Sequence, residues 1–283
     1  MGGGMYSADA RCSSGRTKYY ATASASEIFK EKKVNNAMNP NGVKLRESRD
    51  SNEHPNSLAI ILALDVTGSM GSIPVHLIKK GLPNVMEGII KGGIKDPQML
   101  FLGIGDHECD DAPLQVGQFE SSDALLDHWL QTIYLEGGGG GNDGESYLLA
   151  WYFAGYHTSI DCWEKRKQKG FLFTVGDEPV LRRIPKSSLK EIMGTGQPDD
   201  MEASALLEKA RESYHVYHIL VKQGSNGSKD YVHDGWKQIM GKENLLIAEN
   251  HEDIPQIIAD TINKNVTVPT ASGVDVPTSE NCL

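Results

Sequence analysis

A carboxylate and two hydroxyls recur at two-residue intervals in one short segment of this chain, at Asp65, Thr67 and Ser69. Oxygen donors with few formal charges suit Mg²⁺, which prefers octahedral coordination and keeps several water ligands. Mn²⁺ or Ca²⁺ can bind such a site in place of Mg²⁺. The alternative is that the segment only caps the helix that follows it, through Ser69 or Ser72. The spacing therefore predicts either a divalent-metal site or a helix N-cap.

Acidic residues also follow two other apolar segments of the chain. Residues 99–104 lead to Asp106 and His107, and residues 170–175 lead to Asp177. Because ligands of open α/β sheets bind at the carboxyl ends of the strands, we expect these loops to meet the Asp65 loop at one edge of the sheet.

The acidic stretch that begins at Asp106 has a second interpretation, as part of a two-metal site for phosphoester hydrolysis. It continues through His107 and Glu108 to Asp110 and Asp111. Adjacent loop acids more often form a solvated face, with Asp106 bracing metal-bound water and His107 orienting a neighbouring carboxylate. The sequence also lacks a Gly-x-x-x-x-Gly-Lys-Ser/Thr phosphate loop and a Gly-x-Ser-x-Gly elbow. We therefore expect a binding protein that is not an enzyme.

Strand-like and helix-like segments alternate between residues 57 and 266. This alternation predicts a doubly wound α/β fold, in which helices cover both faces of a mainly parallel sheet. The predicted strands are 58–64, 99–104, 114–119, 170–175, 215–221 and 245–248. The predicted helices are 73–90, 121–134, 145–156, 201–213, 230–240 and 254–263. Ser121 or Ser122 is the predicted N-cap of the second of these helices.

The segments outside this region lack that alternation. Residues 1–56 are rich in polar residues and glycine, with helical character only at 26–34. We interpret them as a polar N-terminal arm, ordered by a partner or by the domain surface. Residues 267–283 have no periodicity and are interpreted as a flexible tail.

Composition restricts the classes of partner. The net charge of −10 argues against nucleic acid and anionic membranes, which attract basic surfaces. No apolar segment reaches membrane-spanning length. The four cysteines form no Cys-x-x-Cys pair, which favours a reducing, cytoplasmic compartment, or a virion if the gene is carried by a phage.

Taken together, the loops resemble those of the von Willebrand factor A family. The metal-ion-dependent adhesion site of that family opens with Asp-x-Ser/Thr-x-Ser after the first strand, which Asp65, Thr67 and Ser69 match. The family also has an Asp after its fourth strand. Asp177 stands one or two residues from that position, because the usual Thr-Asp-Gly is replaced by the run from Thr174 to Asp177.

The second loop of the site departs further from the common Gly-Gly-x-Thr form. Five glycines at 137–141 precede Asn142 and Asp143, and Glu145 follows. This order is similar to a branch with Gly-Gly-Gly-Asp-x-Pro-Glu and an Asp-His after the second strand, as this chain also has. The resemblance implies Asn142 as a metal ligand in the Asp place of that branch, with Asp143 or a water as the alternatives for the missing Thr and Glu145 as a further ligand or outer-sphere partner.

The resemblance extends over about residues 58–265 and implies an adhesion function. A partner protein would offer an Asp or Glu that completes the coordination of the bound Mg²⁺. Intracellular members of this fold, of bacterial or phage type, often work beside AAA+ ATPases or in large assemblies. The alternative is a structural subunit of a phage particle or other assembly that uses its N-terminal arm.

Overall fold

The computed structural model describes residues 4–137, 142 and 144–266, apart from the side chain of Ile78. The predicted tail at 267–283, most of the glycine run and Asp143 lie outside the described residues. The strands are β1 Arg46–Ser48, β2 Leu58–Asp65, β3 Pro97–Ile104, β4 Leu114–Val116, β5 Thr158–Ile160, β6 Gly170–Gly176, β7 Arg183–Ile184, β8 Met201–Glu202, β9 Tyr214–Val221 and β10 Leu245–Ala248.

The helices include every one expected from the sequence, although several are shorter than predicted. They are α1 Ala8–Ser13, α2 Arg16–Thr22, α3 Ala25–Ile28, α4 Ile73–His76, α5 Leu82–Lys91, α6 Asp123–Gln131, α7 Leu148–Tyr156, α8 Asp161–Glu164, α9 Lys186–Met193, α10 Ala203–Arg211, α11 Asp230–Met240 and α12 Ile254–Asn265. Ser122 is the cap of α6, because its side chain accepts a hydrogen bond from the amide of Leu125.

A six-stranded sheet forms the centre of the fold, in the order β10-β9-β6-β2-β3-β4. All neighbours pair in parallel except β3 and β4, which are antiparallel. Every residue of β2, β3 and β6 is buried, as expected for strands covered on both faces. The chain passes from β2 to β3 on one side and later returns to β6 on the other, so the loops after β2 and β6 meet at the switch point.

Helices cover both faces of this sheet. The connection from β2 to β3 contains α5, which packs against α12, whereas α7 precedes β6 and packs against α10. Right-handed crossovers in opposite directions along the sheet put these pairs on opposite faces. The predicted fold class, a doubly wound α/β fold, is confirmed.

The helix predicted over residues 73–90 is interrupted by a π-helical turn at Leu77–Gly81. At its end the amide of Leu82 donates to the carbonyl of Leu77, five residues earlier. Pro83 follows directly and has no amide proton to donate, so the regular hydrogen-bond ladder cannot continue through this point. Turns of this kind are frequent at functional sites.

The N-terminal segment contains more structure than its sequence predicted. Residues 4–56 include three helices and β1, which pairs with β5, and the helix expected over 26–34 is limited to α3. Arg11 on α1 is buried and forms an ion pair with Asp127 on α6, and Tyr20 on α2 is buried in the core. The segment therefore packs on the domain surface instead of extending from it. No helix in the described part of the chain is long and apolar enough to cross a membrane.

Candidate metal centre

The carboxyl end of β2 places Asp65 at the bottom of the site, with no exposed surface. One of its oxygens, Oδ1, accepts hydrogen bonds from the Thr67 amide at 3.0 Å and from the Thr67 hydroxyl at 2.6 Å. The other, Oδ2, accepts from the Tyr147 hydroxyl at 2.6 Å. Asp65 is therefore fixed through both oxygens.

The loop after β6 brings Asp177 to the same place. The Ser69 hydroxyl donates to Asp177 Oδ1 at 2.7 Å and lies 3.2 Å from the Thr67 hydroxyl. A continuous chain of oxygen atoms thus runs from Asp65 through Thr67 and Ser69 to Asp177. The structure brings together four of the five residues that the sequence predicted as metal ligands.

A third loop, residues 222–229 after β9, completes the support of these side chains. The Asn226 amide donates to Asp177 Oδ2 at 2.9 Å, and the Ser225 amide donates to the Ser69 carbonyl at 3.4 Å. Gly224 passes so close to Asp177 that a Cβ there would lie 2.4 Å from the Asp177 side chain. Sequence reasoning missed this loop, whose asparagine, serines and glycines resemble those of an ordinary turn.

Tyr147 is a second feature that sequence reasoning missed. It is fully buried just before α7 and lies edge-on to His218 and to Trp236, with ring centroids 5.2 and 5.3 Å away. Those two rings stack on each other at 3.4 Å, and the Trp236 indole donates to the Glu178 carbonyl at 2.8 Å. This packing fixes the Tyr147 ring with its hydroxyl pointing towards Asp65. The sequence feature that could have indicated this role is the hydroxyl of Tyr147 directly before an apolar helix.

The electrostatics of the site are strongly acidic. Burial, reinforced by the nearby charge of Asp177, raises the pKa of Asp65 to about 7 despite its three hydrogen bonds. Burial and then the charge of Asp65 raise the pKa of Glu145 to about 10. Within the described residues, no lysine or arginine forms a salt bridge with any of these three carboxylates. In the described part of the chain, therefore, no salt bridge with a lysine or arginine offsets the charge that these acids carry when they ionise.

This donor set fits a hard divalent cation. Two carboxylates and two hydroxyls converge, all four donor groups are oxygen, and the acids form no salt bridge with a lysine or arginine that the structure describes. Mg²⁺ and Ca²⁺ prefer such oxygens, whereas Zn²⁺ is more often bound by nitrogen and sulfur.

The second loop stands apart from this cluster in the described structure. The Asn142 side chain donates to Glu108 Oε2 at 2.7 Å, and no hydrogen bond to the Asp65 cluster is described for it. Glu145 pairs through its backbone with the loop after β6, donating to the Pro179 carbonyl at 2.8 Å, while its carboxylate is buried. Asp143 lies outside the described residues. Ligation by Asn142, Asp143 or Glu145 stays a prediction.

Asp106 and His107 stabilise the loop after β3. The Asp106 carboxylate accepts from the Glu108 amide at 2.9 Å, and the Ser146 hydroxyl accepts from the His107 amide at 2.8 Å. The His107 ring nitrogens lie 4.0 Å from the carboxylates of Asp106 and Glu108, too far for a hydrogen bond. Burial lowers the pKa of His107, so its ring is neutral at pH 7.

Comparison with known proteins gives similarity in structure alone. No protein-family model matches the sequence, and no curated protein matches it. The pilus adhesin SpaC from Lactobacillus rhamnosus GG, in its open conformation, aligns with 78% of this chain at 11% identity and a TM-score of 0.52. The alignment spans 31% of the SpaC chain, so this protein corresponds to less than a third of that molecule.

Two weaker similarities are found among other solved structures. The vWF domain of the type V pili tip protein Mfa5 from Porphyromonas gingivalis aligns with 76% of this chain and 98% of its own, at 12% identity and a TM-score of 0.46. Proximal thread matrix protein 1 from the mussel byssus, with a zinc-occupied MIDAS motif, covers 74% of this chain and 45% of its own, at 13% identity and a TM-score of 0.44. The sheet order and the SpaC alignment agree on the fold of this chain, which is a Rossmann-like, doubly wound α/β fold.

Proposed function

We propose that this chain is a divalent-metal-dependent protein-binding module of the adhesion type. A Mg²⁺ ion held by Asp65, Thr67, Ser69 and Asp177 would be completed by an Asp or Glu of a partner protein. The observation that carries the proposal is the continuous cluster of oxygen donors from the loops after β2 and β6, whose buried acids form no salt bridge with a lysine or arginine among the described residues. An intracellular partner such as an AAA+ ATPase or an assembly subunit, and a cytoplasmic location, are part of this hypothesis.

Each residue has a distinct role in this mechanism. Asp65 and Asp177 would supply negative charge, and the hydroxyls of Thr67 and Ser69, which keep their lone pairs while they donate to these carboxylates, would supply neutral oxygen ligands. Bound Mg²⁺ supplies an electrophilic charge that attracts an external carboxylate. Asn142 would join the site only after leaving Glu108.

The other two candidate functions have weaker support. Hydrolysis by two metals requires the acids at 106–111 to converge. Among the described residues, the group of three potential metal-ligating side chains that lie close together is His76, His251 and Glu252, outside this stretch. Asp106 and Asp110 instead hydrogen-bond within their own turn. An arm that covers a neighbouring subunit is not favoured either, because residues 4–56 pack on their own domain.

The proposal is tested by calorimetric titration of Mg²⁺ and Mn²⁺ into chelator-treated protein. We expect one ion to bind, and Asp65→Ala to weaken binding by more than about 100-fold, since it removes a ligand and not merely an outer-sphere partner. The variant should remain folded, because it removes a buried acid whose burial is unfavourable. Asp110→Ala is the matched control and should bind like the wild type.

A second experiment tests adhesion itself. A displayed library of Asp- and Glu-containing peptides is selected against the protein with Mg²⁺ and with chelator. We expect binders that depend on Mg²⁺ and on Asp65. Loss of ion binding in Asp110→Ala but not in Asp65→Ala would contradict the proposed site, and peptide binding that survives chelator would contradict the metal bridge.

A further inference from the structure

A second group of metal-ligating side chains lies outside the oxygen cluster. His76, His251 and Glu252 each offer a ligand atom, and these atoms all lie within 4.8 Å of one another. The two imidazole rings meet edge-on with centroids 4.4 Å apart, and His76 Nε2 lies 4.0 Å from Glu252 Oε1. The distance of 4.0 Å is too long for a hydrogen bond. It is also longer than the separation of about 3.3 Å between two ligand atoms of a tetrahedral zinc ion. Small side-chain rotations would close the difference.

The orientation of His251 is set by a neighbouring amide. Gln223 Oε1 accepts from the His251 backbone amide at 2.9 Å and lies 2.5 Å from His251 Nδ1. Since a side-chain carbonyl oxygen only accepts, Nδ1 carries the proton and Nε2 keeps its lone pair. The Gln223 amide is held in turn by donating to Asn250 Oδ1 at 3.1 Å. Metal-binding histidines typically have their second nitrogen fixed by such an outer partner.

The backbone positions of the three ligands are also well defined. His76 ends α4, directly before the π-helical turn, and is only partly exposed. His251 and Glu252 lie in a short 3₁₀ turn, His251–Asp253, which begins with an Asn250 capping box. The turn contacts α4, so ligands from two distant parts of the sequence meet on structured elements.

We propose that His76, His251 and Glu252 form a second metal site, selective for a zinc-class divalent ion over Mg²⁺. Two imidazole nitrogens and one carboxylate are a donor set that zinc accepts with water in the fourth position. Mg²⁺ prefers oxygen ligands and is poorly served by it. The site is independent of the proposed adhesion function, because no residue is shared between the two ligand sets.

The two sites are nevertheless joined by the loop at 222–229. Gln223 orients His251, and two residues further Ser225 donates its amide to the Ser69 carbonyl. On the other side, α4 follows Ser69 directly and ends at His76. An ion at the second site therefore clamps α4 to the 3₁₀ turn beside the loop that supports the oxygen cluster.

The proposal is tested with Zn²⁺ and Co²⁺ on the full, untagged chain after chelator treatment. We expect one high-affinity Zn²⁺ site by calorimetry, and visible absorption bands from nitrogen-ligated Co²⁺. His251→Asn and His76→Asn should weaken Zn²⁺ binding by more than about 100-fold, and Gln223→Leu by roughly 10–100-fold, as outer-partner losses do. His233→Asn, at a partly exposed histidine on α11, is the control and should leave binding unchanged.

The two proposals fail separately. Under this inference Asp65→Ala retains the Zn²⁺ site and its Co²⁺ spectrum, whereas His251→Asn retains Mg²⁺ binding. Wild-type Zn²⁺ affinity in both His76→Asn and His251→Asn would overturn the second site. Loss of Zn²⁺ binding in Asp65→Ala with retention in His251→Asn would also overturn it, by assigning the ion to the oxygen cluster.

Discussion

Removal of the Tyr147 hydroxyl tests whether the position of Asp65 depends on α7. In Tyr147→Phe the ring still packs against His218 and Trp236, so only the hydrogen bond to Asp65 Oδ2 is lost. A hydrogen bond to a charged group contributes about 1.5–3 kcal/mol, and here the freed carboxylate oxygen stays buried. At roughly 2 °C per kcal/mol for a chain of this size, we expect a fall in Tm of about 3–6 °C without metal.

The same substitution should weaken Mg²⁺ binding by about 10–100-fold, because an outer partner that orients a ligand is lost. Two hydrogen bonds from Thr67 still hold the other Asp65 oxygen, so binding is reduced and not abolished. Thermal unfolding in chelator and calorimetric Mg²⁺ titration measure the two effects on the same samples.

Tyr214→Phe is the matched control. Tyr214 is equally buried and its hydroxyl bonds with that of Thr158 at 2.8 Å, but it begins β9, at the opposite edge of the sheet from Asp65. This variant should lose stability and retain Mg²⁺ affinity. If both variants bind Mg²⁺ like the wild type, Tyr147 does not orient a metal ligand and the reasoning is refuted.

Two further predictions concern close packing and acid stability. Gly176→Ala should destabilise the fold by about 1–3 kcal/mol and weaken Mg²⁺ binding, since its Cβ would lie 1.8 Å from the Tyr147 hydroxyl oxygen. Gly235→Ala, inside α11 where a Cβ would meet only the end of the Arg182 side chain at 3.9 Å, should stabilise the fold by about 0.5–1 kcal/mol. Both variants are measured by denaturant unfolding, and equal effects would refute the packing argument. Burial alone would raise the pKa of Asp161, but hydrogen bonds, chiefly from Lys165, lower it from 3.8 to about 2. The contribution of ionised Asp161 to the free energy of unfolding is therefore present above pH 3.8 and is lost as the pH falls towards 2. Because Lys165 is largely exposed and solvent screens its charge, we expect this contribution to be on the order of 1 kcal/mol. Identical acid unfolding of wild type and Asp161→Asn would contradict this.

The sequence allowed the central fold to be predicted because each buried strand is a continuous apolar segment. The strand predicted at 58–64 is β2, and the acid directly after it became the centre of the site. The N-terminal segment could not be predicted in the same way. Its helices are short, and they are stabilised by distant contacts such as Arg11 with Asp127 and not by local periodicity.

The site itself was predictable only where its residues follow strands. Asp65 and Asp177 do so, and strand ends converge by geometry alone. Tyr147 and the loop at 222–229 reach the site through tertiary packing, for which one sequence carries no spacing rule. Asn142 donates to Glu108, 34 residues away in sequence, a contact that no spacing in the sequence indicates, and its role as a metal ligand stays a prediction.

The position of Asp177, which departs from the Thr-Asp-Gly order of the family that the sequence resembles, has a physical cause in this chain. Residues two apart along a strand share a face, so Thr174 and Gly176 both point towards the layer that contains Tyr147 and His218. The Tyr147 hydroxyl occupies the space that any side chain at 176 would need, and only glycine leaves it free to reach Asp65. A carboxylate at 176 would displace Tyr147. The acid can therefore stand only at the next position, where the Asn226 amide and the Ser69 hydroxyl hold it beside the other oxygen donors.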